Sequence, residues 1–242
     1  MSSLFLVADD ATFETYAEYI QNSDNAPGAL VDVEFNATLN YYTPPGITVT
    51  MTPPGSSTAL AMQAFGLAGW NYEEDFGSSL ASFEQTFPNG TYTFNVSDGT
   101  VLTSILQGNF PTEPIFTGTT LAGIASVDPS QPYTVFFNGL GAEGQADSGI
   151  GLFLTDLTTS MDRGFNVNSS ANEFTLPANI LTPGDEYELT LYYGLSNGQY
   201  YAETKADFTV AAAPEPSELA YAGLGMVALI LGRRLFRRAE IN

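Results

Sequence analysis

The sequence predicts an all-β protein: two β-sandwich-like domains, followed by a short linker and a single C-terminal apolar helix. Three observations lead there. Thr, Ser, Gly, Asn and Tyr are plentiful and Lys is almost absent, a usage that suits strands and polar turns better than helices. Apolar residues alternate at period two in short segments separated by Pro, Gly and Asn-Gly signals. From residue 211 onward the pattern changes to Ala, Pro, a small-residue apolar run and a cluster of Arg. At 242 residues the chain can bury a real core, and 44% apolar content supplies one.

The first domain is assigned to residues 1–113. Met1 to Val7 has no basic residue and too short an apolar run for a signal peptide. The expectation is that the sequence starts at or after a cleavage point, or that an earlier start lies upstream. Leu30 to Leu39 alternates, with Val31, Val33, Phe35, Ala37 and Leu39 on one face, and reads as a half-buried strand. Pro44-Pro45-Gly46 and Pro53-Pro54-Gly55 bracket a hairpin-like element containing the strand Ile47 to Met51. Leu60 to Trp70 follows, with Glu73, Glu74 and Asp75 expected in a loop or short helix. Asn89-Gly90 is a tight-turn signal, and Tyr92, Phe94 and Val96 form a period-2 strand leaving it.

Prolines between Phe110 and Pro114 mark the expected boundary, and the second domain is assigned to residues 114–210. Expected strands are Leu121 to Val127, Tyr133 to Phe137, Ile150 to Leu154, Glu173 to Leu176, Tyr187 to Tyr193 and Tyr200 to Val210. About seven short strands at this spacing suggest an immunoglobulin-like or fibronectin-type sandwich. The stretch Phe174-Thr175-Leu176-Pro177, continuing through Leu181-Thr182-Pro183-Gly184-Asp185-Glu186-Tyr187, resembles the E–F corner of fibronectin type III modules. In that resemblance Tyr187 is the corner tyrosine.

Residues 211–242 form a linker and tail, with a helix expected at about 218–236. Leu219 to Gly232 is apolar, and Arg233, Arg234, Arg237 and Arg238 follow. Small residues and Leu make a helix that can enter a bilayer, and the arginines hold its end on the cytoplasmic side. The 14 apolar residues give about 21 Å of helix against a bilayer core of about 30 Å. Counting through Phe236, with Arg233 and Arg234 snorkelling, brings the segment closer to spanning.

Pro214-Glu215-Pro216-Ser217, then the apolar helix, then the basic cluster resemble, in that order, the PEP-CTERM sorting signal of Gram-negative bacteria. That resemblance implies an exosortase-type membrane processing enzyme as partner and transient anchoring in the inner membrane. After processing the protein is expected at the cell surface or in the extracellular polysaccharide matrix. Members normally carry a Sec signal peptide, which is missing from Met1 to Val7. Phe87-Pro88-Asn89-Gly90-Thr91-Tyr92-Thr93-Phe94 also resembles a phrase of β-rich ectodomains that carry such tails.

Charge and composition narrow the functions. There are 27 acidic residues against six basic ones. Without the tail, which takes Glu215, Glu218, Glu240 and the four arginines, 24 acids face Arg163 and Lys205, a net charge of −22. Such a body repels phosphate backbones, so nucleic acid is excluded as a partner. The acidity reads first as solubility outside the cell, and second as a means of binding cations or a charged matrix. No Cys and no His are present, which removes disulfides, Ser-His-Asp triads, Cys-His nucleophiles and the common zinc sites.

No catalytic residue and no cofactor are expected. Glu73, Glu74 and Asp75 are adjacent and could not flank a sugar without distant partners. Asn138, Glu143 and Asp147, or Asp162, Asn166 and Asn168, offer oxygen ligands for Ca²⁺, yet neither set has the spacing of a known loop, and solvated turns are the favoured reading. The 13 Tyr, 17 Phe and Trp70 are read mainly as core, with exposed Tyr or Trp able to stack on sugars. Asn36, Asn89, Asn95 and Asn168 each open an Asn-x-Ser/Thr sequon. The expected function is therefore non-enzymatic, structural or adhesive, with a carbohydrate- or Ca²⁺-dependent binding module as the alternative and a carboxylate hydrolase behind it.

Overall fold

The computed structural model describes residues 10–41, 45–65, 69–140, 149–195 and 198–212. The predicted tail helix, its Pro-Glu-Pro motif and the Arg cluster lie outside them. No helix of the described residues is long and apolar enough to cross a membrane.

The first half supplies β1 (Asp10–Ile20), β2 (Ala29–Asn40), β3 (Val49–Thr52), β4 (Leu60–Ala61), β5 (Gln63–Phe65), β6 (Gly69–Asp75), α1 (Leu80–Thr86), β7 (Gly90–Val96) and β8 (Val101–Leu106). The second half adds β9 (Phe116–Thr117), α2 (Thr120–Ile124), β10 (Tyr133–Phe137), β11 (Gly149–Asp156), β12 (Met161–Val167), β13 (Glu173–Leu176), β14 (Glu186–Gly194) and β15 (Tyr200–Thr209). Alternation decides which side chains turn inward. Val33, Phe35, Ala37 and Leu39 of β2 are buried while their neighbours are not, and Tyr92, Phe94 and Val96 do the same on β7. Val31, assigned to the same stripe, is instead 36% exposed where β2 begins.

Three sheets result. A four-stranded sheet runs β4-β3-β7-β8, a three-stranded one β13-β10-β9, and an eight-stranded one β12-β11-β14-β15-β1-β2-β6-β5. In the first half β1-β2-β6-β5 packs on β4-β3-β7-β8 around Phe13, Phe35, Phe87 and Phe94. In the second half β12-β11-β14-β15 packs on β13-β10-β9 around Val135, Leu152, Leu189 and Leu191. Matching β9, β10, β11, β12, β13, β14 and β15 to β1, β2, β3, β4, β6, β7 and β8 reproduces the order in both sheets of each half. This is an immunoglobulin-type sandwich plan used twice. The Tyr187 corner forms as the resemblance implied: Tyr187 Oη accepts from the Thr182 backbone N–H at 2.9 Å. Tyr92, at the matching place on β7, donates to Pro88 O at 3.0 Å.

The prediction of two sandwich-like units did not anticipate their shared sheet. β1 and β15 pair in parallel, from Thr15 opposite Tyr200 to Ile20 opposite Lys205. Around that seam Gln21, 2% exposed, donates to Phe116 O at 2.9 Å and accepts from Phe116 N–H at 2.8 Å. Thr204 donates to Pro114 O at 2.6 Å. Phe110 packs edge-on against Phe83 and Tyr200, so the proline-marked connection lies against both halves.

Three local expectations are corrected. Leu121 to Val127 is not a strand: α2 occupies Thr120–Ile124, and Asp24 accepts from the Leu121 and Ala122 N–H groups at its start. Glu73, Glu74 and Asp75 lie on strand β6 because pairing with β2 overrides their turn-like composition. The segment between the two Pro-Pro-Gly turns is no self-contained hairpin, since β3 pairs with β4 on one side and β7 on the other.

Candidate functional site

The eight-stranded sheet covers a core with one face and leaves the other to solvent across both halves. Side chains opposite the buried Phe13, Thr15 and Ala17 of β1 include Glu14, Tyr16 and Glu18. Register places Glu34 beside Tyr16 and Asp32 beside Glu18, with Asp75 next to Glu34 on β6. On β15, Tyr201, Glu203 and Lys205 share this face. Lys205 holds both flanking acids, with Nζ 2.9 Å from Glu18 Oε2 and 2.9 Å from Glu203 Oε1. Burial pushes the Glu203 carboxyl up and the lysine partly offsets it.

Burial, with like charge behind it, shapes the β2–β6 end. Burial pushes the Asp32 carboxyl up, and its hydrogen bond to Asp75 adds to that. Asp32 Oδ1 is buried without a hydrogen-bond partner, so ionisation there is poorly compensated. Asp75 moves the other way, held down by the Gly77 N–H and by Asp32. Burial also raises Glu34, with Glu73 next.

An aromatic row crosses the same face. Phe153 of β11 meets Tyr192 of β14 edge-on at 6.5 Å, and Tyr192 stacks on Tyr201 of β15 at 5.5 Å. Tyr16 is the register partner of Tyr201 on β1. A depression of about 220 Å³ opens at its end, lined by Glu14, Tyr16, Glu34, Asn36 and Tyr201. A larger one, about 330 Å³, lies where the halves meet and is lined by Phe83, Glu84, Phe110 and Tyr200 among others. Polar groups in the larger one bond internally: Tyr200 Oη donates to Asn89 Oδ1 at 2.7 Å, and Asn89 Nδ2 donates to Gly108 O at 2.7 Å. Burial raises the Tyr200 hydroxyl to about 12.

Other predicted candidates are dispersed. Glu74 accepts from Tyr72 Oη, while Glu73 and Asp75 are exposed on the common face. Asn138 is structural: Oδ1 accepts from Ile115 N–H and Tyr193 Oη, and Nδ2 donates to Glu113 O. Glu143 and Asp147 lie outside the described residues. Asp162 and Asn166 lie on β12, and Asn168 closes a turn onto Ser170. Among the described residues no group of three or more acids is placed to hold a metal ion. The aromatic row escaped sequence reasoning because Tyr192-Tyr193 and Tyr200-Tyr201 are adjacent pairs. Each splits into one buried and one outward ring, and only strand parity tells which.

No family model matches the chain, and no curated protein does. Among solved structures it is similar to the FN1–FN3 domains of chicken CNTN1, at 14% identity over 82% of this chain and 68% of that one, with a TM-score of 0.36. It is similar to a cytokine receptor complex at 10% identity, over 84% and 98% of the two chains, with a TM-score of 0.31. The chicken interferon gamma receptor alpha chain is matched at 9% identity, over 84% and 100%, with a TM-score of 0.31. At scores this low the likenesses carry no weight. The sandwich assignment rests on strand order, register and the Tyr187 corner.

Proposed function

We propose that this chain is a non-enzymatic exported protein, sorted through its C-terminal tail to the cell surface or the extracellular polysaccharide matrix, where the fused sandwiches act as a structural and adhesive unit. The observation that most directly supports an adhesive role is the continuous eight-stranded sheet. Two sandwiches on a flexible linker would present two small faces at changing angles, whereas one hydrogen-bonded sheet presents a single broad face. Pro214, Glu215, Pro216 and Ser217, with Arg233, Arg234, Arg237 and Arg238 behind the apolar segment, support sorting by an exosortase-type enzyme in the inner membrane. A hydrolase is disfavoured although Glu14 and Glu34 line one depression, because that depression lies on an open sheet face with no walls to exclude water.

Expression of the full chain behind a Sec signal peptide, in a host with and without an exosortase, tests the sorting reading. The expected result is a chain shortened near the Pro214–Ser217 motif, in the surface or matrix fraction only when the enzyme is present. Recovery of the intact chain from the cytosol in both hosts would overturn it.

A further inference from the structure

Four outward aromatic rings on an acidic sheet face need a physical account. Phe153, 42% exposed, does not pack into the second core, which lies on the opposite side with Leu152 and Leu154. Glycine lets these rings lie down on the strands. A Cβ on Gly151 would come within 2.8 Å of Phe153 Cε2, and one on Gly164 within 3.1 Å of Cε1 of the same ring. A Cβ on Gly194 would meet Tyr201 Cδ1 at 3.2 Å and Tyr192 Cε1 at 3.3 Å. Tyr201 is also tied along the strand, donating from Oη to Gly198 O at 2.7 Å.

Rings over glycines stabilise a sheet by themselves. That alone does not explain why the row ends in a depression lined by Glu14, Glu34, Asn36 and Tyr16. From β11 to β1 the row crosses three strand spacings, about 14 Å. A flat aromatic row of that length with hydrogen-bonding side chains at its end suits a chain of sugar rings, which stack their apolar faces and pair their polar edges.

Charge then selects the sugar. Lys205 is the one cation on this face among the described residues, and Glu18 and Glu203 already hold it. Glu14 and Glu34 form no ion pair among the described residues. The body around them carries the −22 charge derived above, which drives away uronic-acid, sulfated and phosphate-bearing polymers. Free amino groups would meet Glu14 and Glu34 directly and be concentrated near the face by the long-range field.

Building on the adhesive reading, we propose that the outer face over β11, β14, β15 and β1 binds a polysaccharide carrying free amino groups, its rings on Phe153, Tyr192 and Tyr201 and an ammonium group between Glu14 and Glu34.

Calorimetric titration of the full chain with a tetramer of 2-amino-2-deoxyglucose, and with its fully N-acetylated counterpart, tests the proposal. The amino tetramer is expected to bind at least tenfold more tightly than the acetylated one, and tenfold more weakly once NaCl is raised to about 0.5 M. Glu14→Gln, at an exposed position, is expected to weaken binding about tenfold with an unchanged melting midpoint. Tyr201→Ala is expected to abolish binding, with circular dichroism reporting whether the sheet persists. Equal binding of the two tetramers, no binding of either, or undiminished binding of the amino tetramer by a folded Tyr201→Ala would each overturn the proposal. Retention of the protein on isolated matrix despite such a result would leave the adhesive reading standing. Cleavage of the tetramer during titration would sink both.

Discussion

Two sandwiches with one strand plan are filled with different material. The first core is aromatic: Phe35 stacks on Phe87 at 3.9 Å, and Phe13, Tyr92 and Phe94 crowd around them. The second is chiefly aliphatic, with Val135, Leu152, Leu189 and Leu191 fully buried. What both keep is the tyrosine at the start of the matching strand, Tyr92 on β7 and Tyr187 on β14, tied to backbone a few residues upstream. Strand pairing and that corner therefore define the plan, while core contents need only fill the space. The halves also differ at their edges. β15 is sealed by β1, whereas among the described residues β8 pairs only with β7 and is covered by side-chain contacts such as Ser104 Oγ to Ala11 O at 2.7 Å.

The sharpest way to break the comparison is to destabilise one core and ask whether the other follows. Phe35→Ala removes a stacked, fully buried ring and is expected to cost about 3–5 kcal/mol. Trp70, the single tryptophan, is 6% exposed in the first core, so its fluorescence reports that half while far-UV circular dichroism reports both. Denaturant transitions from the two probes are expected to coincide in the wild type and the variant. Separated midpoints would show that the shared sheet does not couple the halves.

The seam is the next target. Gln21→Ala would strand the buried N–H and C=O of Phe116, and a loss of about 2–3 kcal/mol is expected. The two probes should separate in this variant if they separate in any. Lys205→Met leaves Glu18 and Glu203 facing each other across the parallel pair. With the lysine side chain 28% exposed, solvent discounts the loss to about 1–2 kcal/mol. An unchanged denaturation midpoint in Lys205→Met would mean that the backbone ladder alone holds the seam.

Much of each half was legible before the structure, and the reason is local. The alternation in β2 and β7 and the placement of β13 at Glu173–Leu176 need only a few residues of sequence to see. The α2 segment misled because Leu121 to Val127 is a short apolar run, and such runs do not distinguish strand from helix. Its cap comes from Asp24, about a hundred residues away. The β1–β15 pair joins strands some 185 residues apart and leaves no local mark in either. Because the aromatic row depends on that pair to bring Tyr16 beside Tyr201, the candidate site was hidden with it.

The smallest effect expected is also the one that separates the acidic face from the turns. Asp32 and Glu34 hold their protons more tightly in the folded protein than in the unfolded chain. Between the ordinary carboxylate range near about 4 and their raised folded values, the unfolded chain is ionised and the folded one is not. Stability therefore falls as pH rises through that window, and acidification through it should raise the melting midpoint. Turn carboxylates act with the opposite sign. Asp98, held down by the Thr100 N–H, and Asp128, held down by Ser130, contribute stability above about pH 4 that is lost as pH falls through their lowered values. The midpoint should thus peak in the mildly acid range. Asp32→Asn removes the charge that Asp75 opposes, so it should raise the midpoint at pH 7 and flatten the rise on acidification, by less than Lys205→Met lowers it. A midpoint that falls steadily from pH 7 downward in both proteins would mean that the acidic face is relieved by solvent, and that turn carboxylates alone set the pH dependence.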